Sequence, residues 1–372
     1  MKIALVHDYI RDFGGAERVL KVLSEMYPNA PIYTAFYIKD STAYKELSST
    51  DGRKNKQIIE SKFAFFIKHF NLYSPLRFLL PQIWGSIDLS KYDLVITSCS
   101  NYIARGFKVG ENTKVVAYCH TPPRFLYGYK TGDLQKFWLV KIYSNFIGHF
   151  LRQFDFNSAQ KIKYWIANSK NVAERIKKFY RKDSTVIYPP VDFKKFSSLV
   201  VPKEDFFLIV SRIVGTKGIV EAAEAANKLG IKLKIVGEGA GILNVENKLK
   251  KYLGKDLEML GRLDEEELTS VYTRAKGFIA LARDEDFGMT VVEAQAAGTP
   301  VIAFKGGGFI ESVIESKTGI FVEDTDVNTL KKAFEKFNKI KWDRNVIKQN
   351  AKKFSKERFE KEITLFVNKL PN

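Results

Sequence analysis

Apolar residues fall into short uninterrupted runs, separated by stretches in which they recur every three or four positions. In the first half the runs are Lys2-Ile-Ala-Leu-Val6, Leu94-Val-Ile-Thr97 and Lys114-Val-Val-Ala-Tyr118. In the second half they are Phe206-Phe-Leu-Ile-Val210, Lys232-Leu-Lys-Ile-Val236, Gly277-Phe-Ile-Ala-Leu281 and Pro300-Val-Ile-Ala-Phe304. Such runs read as buried strands, and the segments between them as amphipathic helices, for example Val19, Leu20, Val22, Leu23 and Met26 on one side of one helix. The alternation predicts an α/β protein of stacked βαβ units with parallel sheets. Pro189-Pro190, within Val186-Ile-Tyr-Pro-Pro-Val-Asp192, stops regular structure and stiffens a joint between the halves. The expected division is 1–192 and 193–350, two Rossmann-like doubly wound domains. The tail, Lys352 to Lys369, carries Phe354, Phe359, Ile363 and Phe366 at helical spacing. It predicts a C-terminal helix over 351–372 that packs back on the first domain.

Length and composition fit that division. At 372 residues, 45% of them hydrophobic, the chain can build two cores of ordinary size. No apolar stretch reaches the ~18 residues of a membrane span. The opening Met1-Lys-Ile-Ala-Leu-Val-His-Asp meets polar residues too early for a signal peptide. Cys99 and Cys119, the two cysteines, end apolar runs, and two reduced core thiols in a cytosolic protein are preferred to one buried disulfide.

The net charge of +18 asks for a partner. Between Arg53 and Ile83 stand six basic residues, one acid and six aromatic rings; from Arg124 to Lys182, thirteen basic residues face Asp133, Asp155 and Glu174. Phe63-Ala-Phe-Phe-Ile-Lys-His-Phe70 and Leu76-Arg-Phe-Leu-Leu80 mix apolar bulk with cations, as an interfacial segment does. An anionic membrane surface ranks first, and a solvated face with the apolar side in the core second. No zinc-finger spacing or ribonucleoprotein motif speaks for nucleic acid.

The densest chemistry lies in Arg283-Asp-Glu-Asp-Phe-Gly-Met-Thr-Val-Val-Glu293. It leaves a strand and passes through Phe287-Gly288 into a helix that ends at Gly298 and Pro300. Glu285 and Glu293 bracket a turn whose backbone N–H groups and helix dipole suit a phosphate. A carboxylate one turn into the helix can accept hydrogen bonds from ribose hydroxyls, so the geometry suggests a nucleotide-sugar site. Arg212 and Lys217 lie across a βα loop at a strand's carboxyl end, where doubly wound sheets bind ligands. His120, before Thr121-Pro-Pro-Arg124, holds a similar position. Gly14-Gly15 could admit a ligand close to backbone or serve only as a turn. Gly237-Glu-Gly239-Ala-Gly241 lacks the third glycine of a dinucleotide fingerprint, because Ile242 stands there. The pairs Asp284/Asp286 and Asp324/Asp326 have no third ligand at helpful spacing, so no metal is assigned.

Taken in order, these residues resemble the family 4 retaining glycosyltransferases of GT-B architecture. The resemblance rests on Gly14-Gly15, His120, Ile166-Ala-Asn-Ser169, Tyr188-Pro-Pro-Val-Asp192, Arg212 with Lys217, Val236-Gly-Glu-Gly239, and Glu285 spaced from Glu293 around Phe287-Gly288. His-Asp-Tyr at 7–9 and Cys-His-Thr-Pro-Pro-Arg at 119–124 look like the mannosyltransferase branch that acts on lipid-linked saccharides of surface polymers. Ile213-Val-Gly-Thr216 departs from relatives with a longer or proline-bearing loop.

The resemblance implies two Rossmann-like domains about an interdomain cleft, closing at Pro189-Pro190, and hexose transfer from a nucleotide-sugar without metal or cofactor. GDP-mannose is the first-choice donor and a UDP-sugar the second. Glu293 would hold the ribose, while Phe287, Gly288, Met289 and Thr290 would meet the diphosphate or sugar through backbone donors. Arg212 and Lys217 would stabilise the leaving diphosphate. Glu285 and His120 would contact the donor sugar, and Gly14 and Gly15 would line the diphosphate or acceptor side. The acceptor would be a lipid-linked saccharide or glycolipid, with the protein peripheral on the inner face of the membrane. A soluble glucan or small-molecule acceptor is the alternative; a non-catalytic nucleotide- or nucleic-acid-binding scaffold comes last.

Overall fold

The computed structural model describes residues 1–48, 56–70, 73, 75–129, 138–197, 199, 201–239, 245–254 and 256–371, with no side-chain account of Phe70 or of 138–145. Arg53, Asp133, Gly241 and Ile242, used in the charge and glycine arguments, lie outside the described residues. The chain forms two compact units. One takes the described residues of Met1–Lys130, Phe137–Pro190 and Phe359–Asn372, and the other those of Val191–Arg358.

The first unit holds a seven-stranded, all-parallel sheet: β1 (Ile3–His7), β2 (Ile32–Thr34), β3 (Ile58–Glu60), β4 (Leu94–Cys99), β5 (Lys114–Cys119), β6 (Tyr164–Ala167) and β7 (Thr185–Val186), in the order β3-β2-β1-β4-β5-β6-β7. Successive residues point to opposite faces, and the strands divide accordingly. Ala4, Val6, Val95, Ala117 and Trp165 join the core on one face. Leu5, Ile96, Val116, Tyr118 and Ile166 join the core on the other, against Val19, Leu20 and Leu23 of the helix Gly15–Met26. Burial on both sides is why these strands read as continuous apolar runs.

The C-terminal helix also packs on that second face. It begins later than the spacing suggested: one helix ends at Lys352, a break follows, and the last helix is Lys356–Asn368. Phe354 falls in the break and packs on Phe287, with ring centroids 5.3 Å apart, whereas Phe359, Ile363 and Val367 pack with Leu5 and Tyr118. The strand-like bridge Val191↔Ser355 fixes the break, with the Val191 N–H donating to the Phe354 carbonyl at 2.9 Å.

The second unit holds a six-stranded parallel sheet: β8 (Glu204–Val210), β9 (Leu233–Val236), β10 (Leu257–Gly261), β11 (Ala275–Ala280), β12 (Val301–Phe304) and β13 (Gly319–Val322), ordered β10-β9-β8-β11-β12-β13. Its core combines Phe207, Ile209, Ile235, Ile279 and Ile320 with the apolar faces of the helices Ile219–Leu229 and Val327–Lys339. In each unit the first strand is central and the order reverses beside it. The loops leaving β1 and β4, and those leaving β8 and β11, therefore open at switch points, where such sheets take ligands.

Candidate active site

At the switch point of the second unit, two loops meet through glycine. Gly218 adopts φ +69°, and a Cβ there would fall 2.6 Å from Leu281 Cβ. A Cβ on Gly237, after β9, would fall 2.0 Å from the Ser211 carbonyl oxygen. The loop after β8 is thus wedged between its neighbours, and it carries Arg212 and Lys217. Lys217 Nζ lies 2.6 Å from Glu285 Oε2, with the side chains 25% and 20% exposed, so the two residues pair across 68 positions of sequence. Arg212 is exposed on the same loop.

A second glycine device holds the loop of Glu285. Gly308 donates its N–H to the Glu285 carbonyl at 2.9 Å. A Cβ at Gly307 would lie 2.3 Å from that carbonyl oxygen, and one at Gly308 2.3 Å from Phe287 Cα. Sequence reasoning passed over Lys305-Gly-Gly-Gly308, although three successive glycines just after a strand were a legible signal of close approach. Gly288, at φ +87°, starts the helix Met289–Ala296, whose first N–H groups have no intrahelical acceptor. Met289 and Thr290 are half-buried there, and Phe287 is buried. Glu293 faces inward: it is 1% exposed and accepts a hydrogen bond from the Tyr272 hydroxyl at 2.9 Å.

Of the aspartates that invited a metal, Asp324 and Asp326 have structural partners. Asp324 pairs with Arg283 at 2.5 Å, and Asp326 accepts from the N–H groups of Asn328 and Thr329 to cap a helix. Among the described residues, no three His, Cys, Asp or Glu side chains converge as metal ligands. Ser169, in the Ile166–Ser169 motif, is likewise a helix cap, accepting from the Val172 N–H at 3.1 Å.

At the switch point of the first unit, His7 ends β1 and Ser98 is its direct partner on β4. His120 follows β5 on the same face, since Ser98 pairs with Tyr118. Ser98 Oγ lies 2.9 Å from His7 Nδ1 and 2.8 Å from His120 Nε2. His7 Nε2 lies 3.3 Å from Glu17 Oε1, while Glu17 Oε2 accepts from the Gly14 N–H at 2.9 Å. Gly14 and Gly15 thus open a helix closed by its own third residue. Burial, and secondarily the neighbouring His7, push His120 down to about 3, so its imidazole is neutral near pH 7. Buried Asp8 accepts from the N–H groups of Ser100, Tyr102 and Ala104 at 2.9–3.0 Å and fixes the loop after β4. Of this cluster the sequence pattern names His120, Gly14 and Gly15 as candidates, but not Glu17, Ser98 or the separate duties of His7 and Asp8.

Part of the basic charge of the first unit is internal. Lys56 donates to the carbonyls of Ser24, Tyr27 and Pro28 at the end of a helix. Lys68 pairs with Glu60, and buried Arg105 with Asp155. Buried Arg175 lies 4.5 Å over the Tyr129 ring. Cys99 and Cys119 are buried free thiols on adjacent strands. Facing outward are Arg152, Lys161, Lys163, Lys170 and Lys178, together with a set of phenylalanines: Phe65 (64% exposed) and Phe66 (48%) beside exposed Lys62, and Phe146 (80%) with Phe150 (47%).

Residues 13–195 match the model of Glycosyltransferase Family 4, and residues 190–354 that of Glycosyl transferases group 1. An uncharacterised glycosyltransferase of Methanocaldococcus jannaschii is 32% identical over 154 residues, 41% of this chain and 44% of that protein's length. The alpha-1,3/1,6-mannosyltransferase ALG2 of Dictyostelium discoideum is 22% identical over 100% of this chain and 98% of its own. Among solved structures, Anabaena HepE in complex with UDP-glucose aligns with a TM-score of 0.68 at 17% identity, covering both chains in full. The chain belongs to the GT-B glycosyltransferases, with a family 4 N-terminal half and a group 1 C-terminal half.

Proposed function

We propose that the protein moves a hexose, mannose by first choice, from a nucleotide-sugar to a lipid-linked saccharide at an anionic membrane surface, with retention and without metal or cofactor. The observation that carries this reading is the pairing of Lys217 with Glu285 across the loops of β8 and β11, beside exposed Arg212 and the helix N-terminus at Gly288. GDP-mannose leads because of the likeness to a mannosyltransferase. A UDP-sugar follows because of the likeness to a protein bound to UDP-glucose.

In this reading the C1–O bond of the donor breaks and its electron pair goes to the diphosphate. Arg212, Lys217 and the N–H groups from Phe287 to Thr290 meet that growing charge. The acceptor oxygen bonds C1 from the same face and gives its proton to the departing phosphate. Lys217 already holds Glu285, so Glu285 is placed to orient sugar hydroxyls while Lys217 turns to the phosphate. Glu293 holds the ribose, exchanging part of its contact with Tyr272 for the sugar hydroxyls. On the first unit, Gly14-Gly15 allow close backbone approach and His120 meets a substrate hydroxyl. The exposed phenylalanines beside Lys62 support membrane contact at the inner face. Among the described residues, no helix is long and apolar enough to cross a membrane.

Thermal-shift titration with GDP, UDP and ADP, then with their sugar conjugates, tests the donor. A matching nucleotide at a hundred times its Kd should stabilise the protein by about 2.7 kcal/mol. Transfer in EDTA, with the product's anomeric configuration read by NMR, tests the chemistry. Inversion or a metal requirement would overturn that part of the reading.

A further inference from the structure

The three-bond chain from Glu17 to His120 has a direction, and hydrogen counting supplies it. Glu17 takes the Gly14 N–H on one oxygen and faces His7 Nε2 with the other. An ionised carboxylate has no hydrogen to give, so His7 Nε2 must carry one. A His7 ring that carries only this one hydrogen has Nδ1 as an acceptor, and the single Ser98 hydroxyl hydrogen points to it across 2.9 Å. The Ser98 lone pairs are left to face His120 Nε2 at 2.8 Å, so that nitrogen carries the ring's hydrogen. We propose that Glu17, through His7 and Ser98, is a positioning residue that fixes the tautomer of His120, leaving its Nδ1 lone pair to accept from a substrate hydroxyl. The substrate half of this inference rests on the glycosyl-transfer reading; the tautomer half does not.

Burial supports the assignment. His7 is 1% exposed and His120 8%, so water competes little for either ring. The arrangement also explains a helix opened by glycine with glutamate as its third residue. One carboxylate closes the helix end and starts the wire together.

The substitution Glu17→Gln gives a sharp test, because it should reverse the wire. The amide oxygen takes over the Gly14 N–H, which leaves the –NH2 group for His7 Nε2. His7 must then carry its hydrogen on Nδ1, Ser98 must donate to His120 Nε2, and His120 becomes the Nδ1–H tautomer. The readout is a long-range ¹H–¹⁵N correlation spectrum of ¹⁵N-histidine-labelled full-length protein at pH 8. The chain has four histidines, and variants of His69 and His149 complete the assignment. Expected in the wild type is a protonated Nε2 and bare Nδ1 on both His7 and His120. In Glu17→Gln both patterns exchange, while on a Ser98→Ala background Glu17→Gln leaves the His120 pattern as it is in Ser98→Ala alone. Transfer by Glu17→Gln should fall about tenfold in kcat, with KM for the donor little changed.

A bare Nε2 on His120 in the wild type would overturn the inference, and so would the same His120 pattern before and after Glu17→Gln. The wild-type spectrum decides even if a variant folds poorly. If no sugar nucleotide supports transfer but the tautomers switch as stated, the functional reading fails and the wire stands.

Discussion

Lys217 and Glu285 neutralise each other in the free protein, so neither is a spectator of the other's loss. In the proposed reaction, replacing Lys217 by Ala removes one donor to the developing diphosphate charge and breaks the Lys217 contact with Glu285. The expected cost is about 10²–10³ in kcat, measured by initial rates at saturating donor. Equal rates in Lys217→Ala and wild type would remove this cation from the mechanism. His120 makes a separate prediction through pH. Its ordinary value of 6.5 falls to about 3 in the fold. The unfolded chain therefore binds a proton below about 6.5 that the folded chain refuses, and stability drops as pH falls through that window. Between pH 7 and 5 the share of His120 is about 2 kcal/mol. Urea unfolding should show that loss in the wild type and a correspondingly smaller one in His120→Asn; identical losses would mean the ring is not held neutral.

Loops and caps act at the scale of elements. Gly307→Ala forces a methyl to within 2.3 Å of the Glu285 carbonyl oxygen, so the loop must move. We expect destabilisation of about 1–3 kcal/mol, with transfer falling well beyond what lost stability explains. Full activity after correction for folded fraction would show that the glycine loop does not set the site. Asp326→Ala is the counterpart: it should cost about 1 kcal/mol as a lost cap, while transfer and its indifference to EDTA stay unchanged. Metal-dependent transfer that Asp326→Ala abolishes would restore the discarded ligand reading. The long apolar strands were legible because burial on both faces writes four or five apolar residues in a row. β2 and β3, with three residues each, and β7, with two, carry too little pattern to read. The glutamate spacing around Phe287-Gly288 was legible because one loop and one helix supply it. Neither the Lys217–Glu285 pair nor the His7–Ser98 contact could be read, for each joins residues 68 or 91 positions apart that only strand register brings together.

For the whole molecule, the charge of +18 divides into an internal and an external part. Lys56, Arg105 and Arg175 are engaged by carbonyls, a carboxylate and an aromatic ring, while Lys62, Arg152, Lys161, Lys163, Lys170 and Lys178 stay exposed. Exposed phenylalanines accompany that outward charge. Phe65→Ser with Phe66→Ser should weaken sedimentation with anionic liposomes severalfold and leave nucleotide binding intact, since side chains 64% and 48% exposed contribute little to the core. Unchanged liposome binding, or none in the wild type, would favour the soluble acceptor. In the proposed reaction the loops of β8 and β11 drive sugar transfer. The most direct test is a transfer assay in EDTA with labelled GDP-mannose and UDP-sugars, scored in the lipid-extractable fraction for wild type and Lys217→Ala. The expected result is label in the lipid fraction from one donor, reduced about 10²-fold or more in the variant. No transfer or hydrolysis from any donor by the wild type, or undiminished transfer by Lys217→Ala, would contradict it.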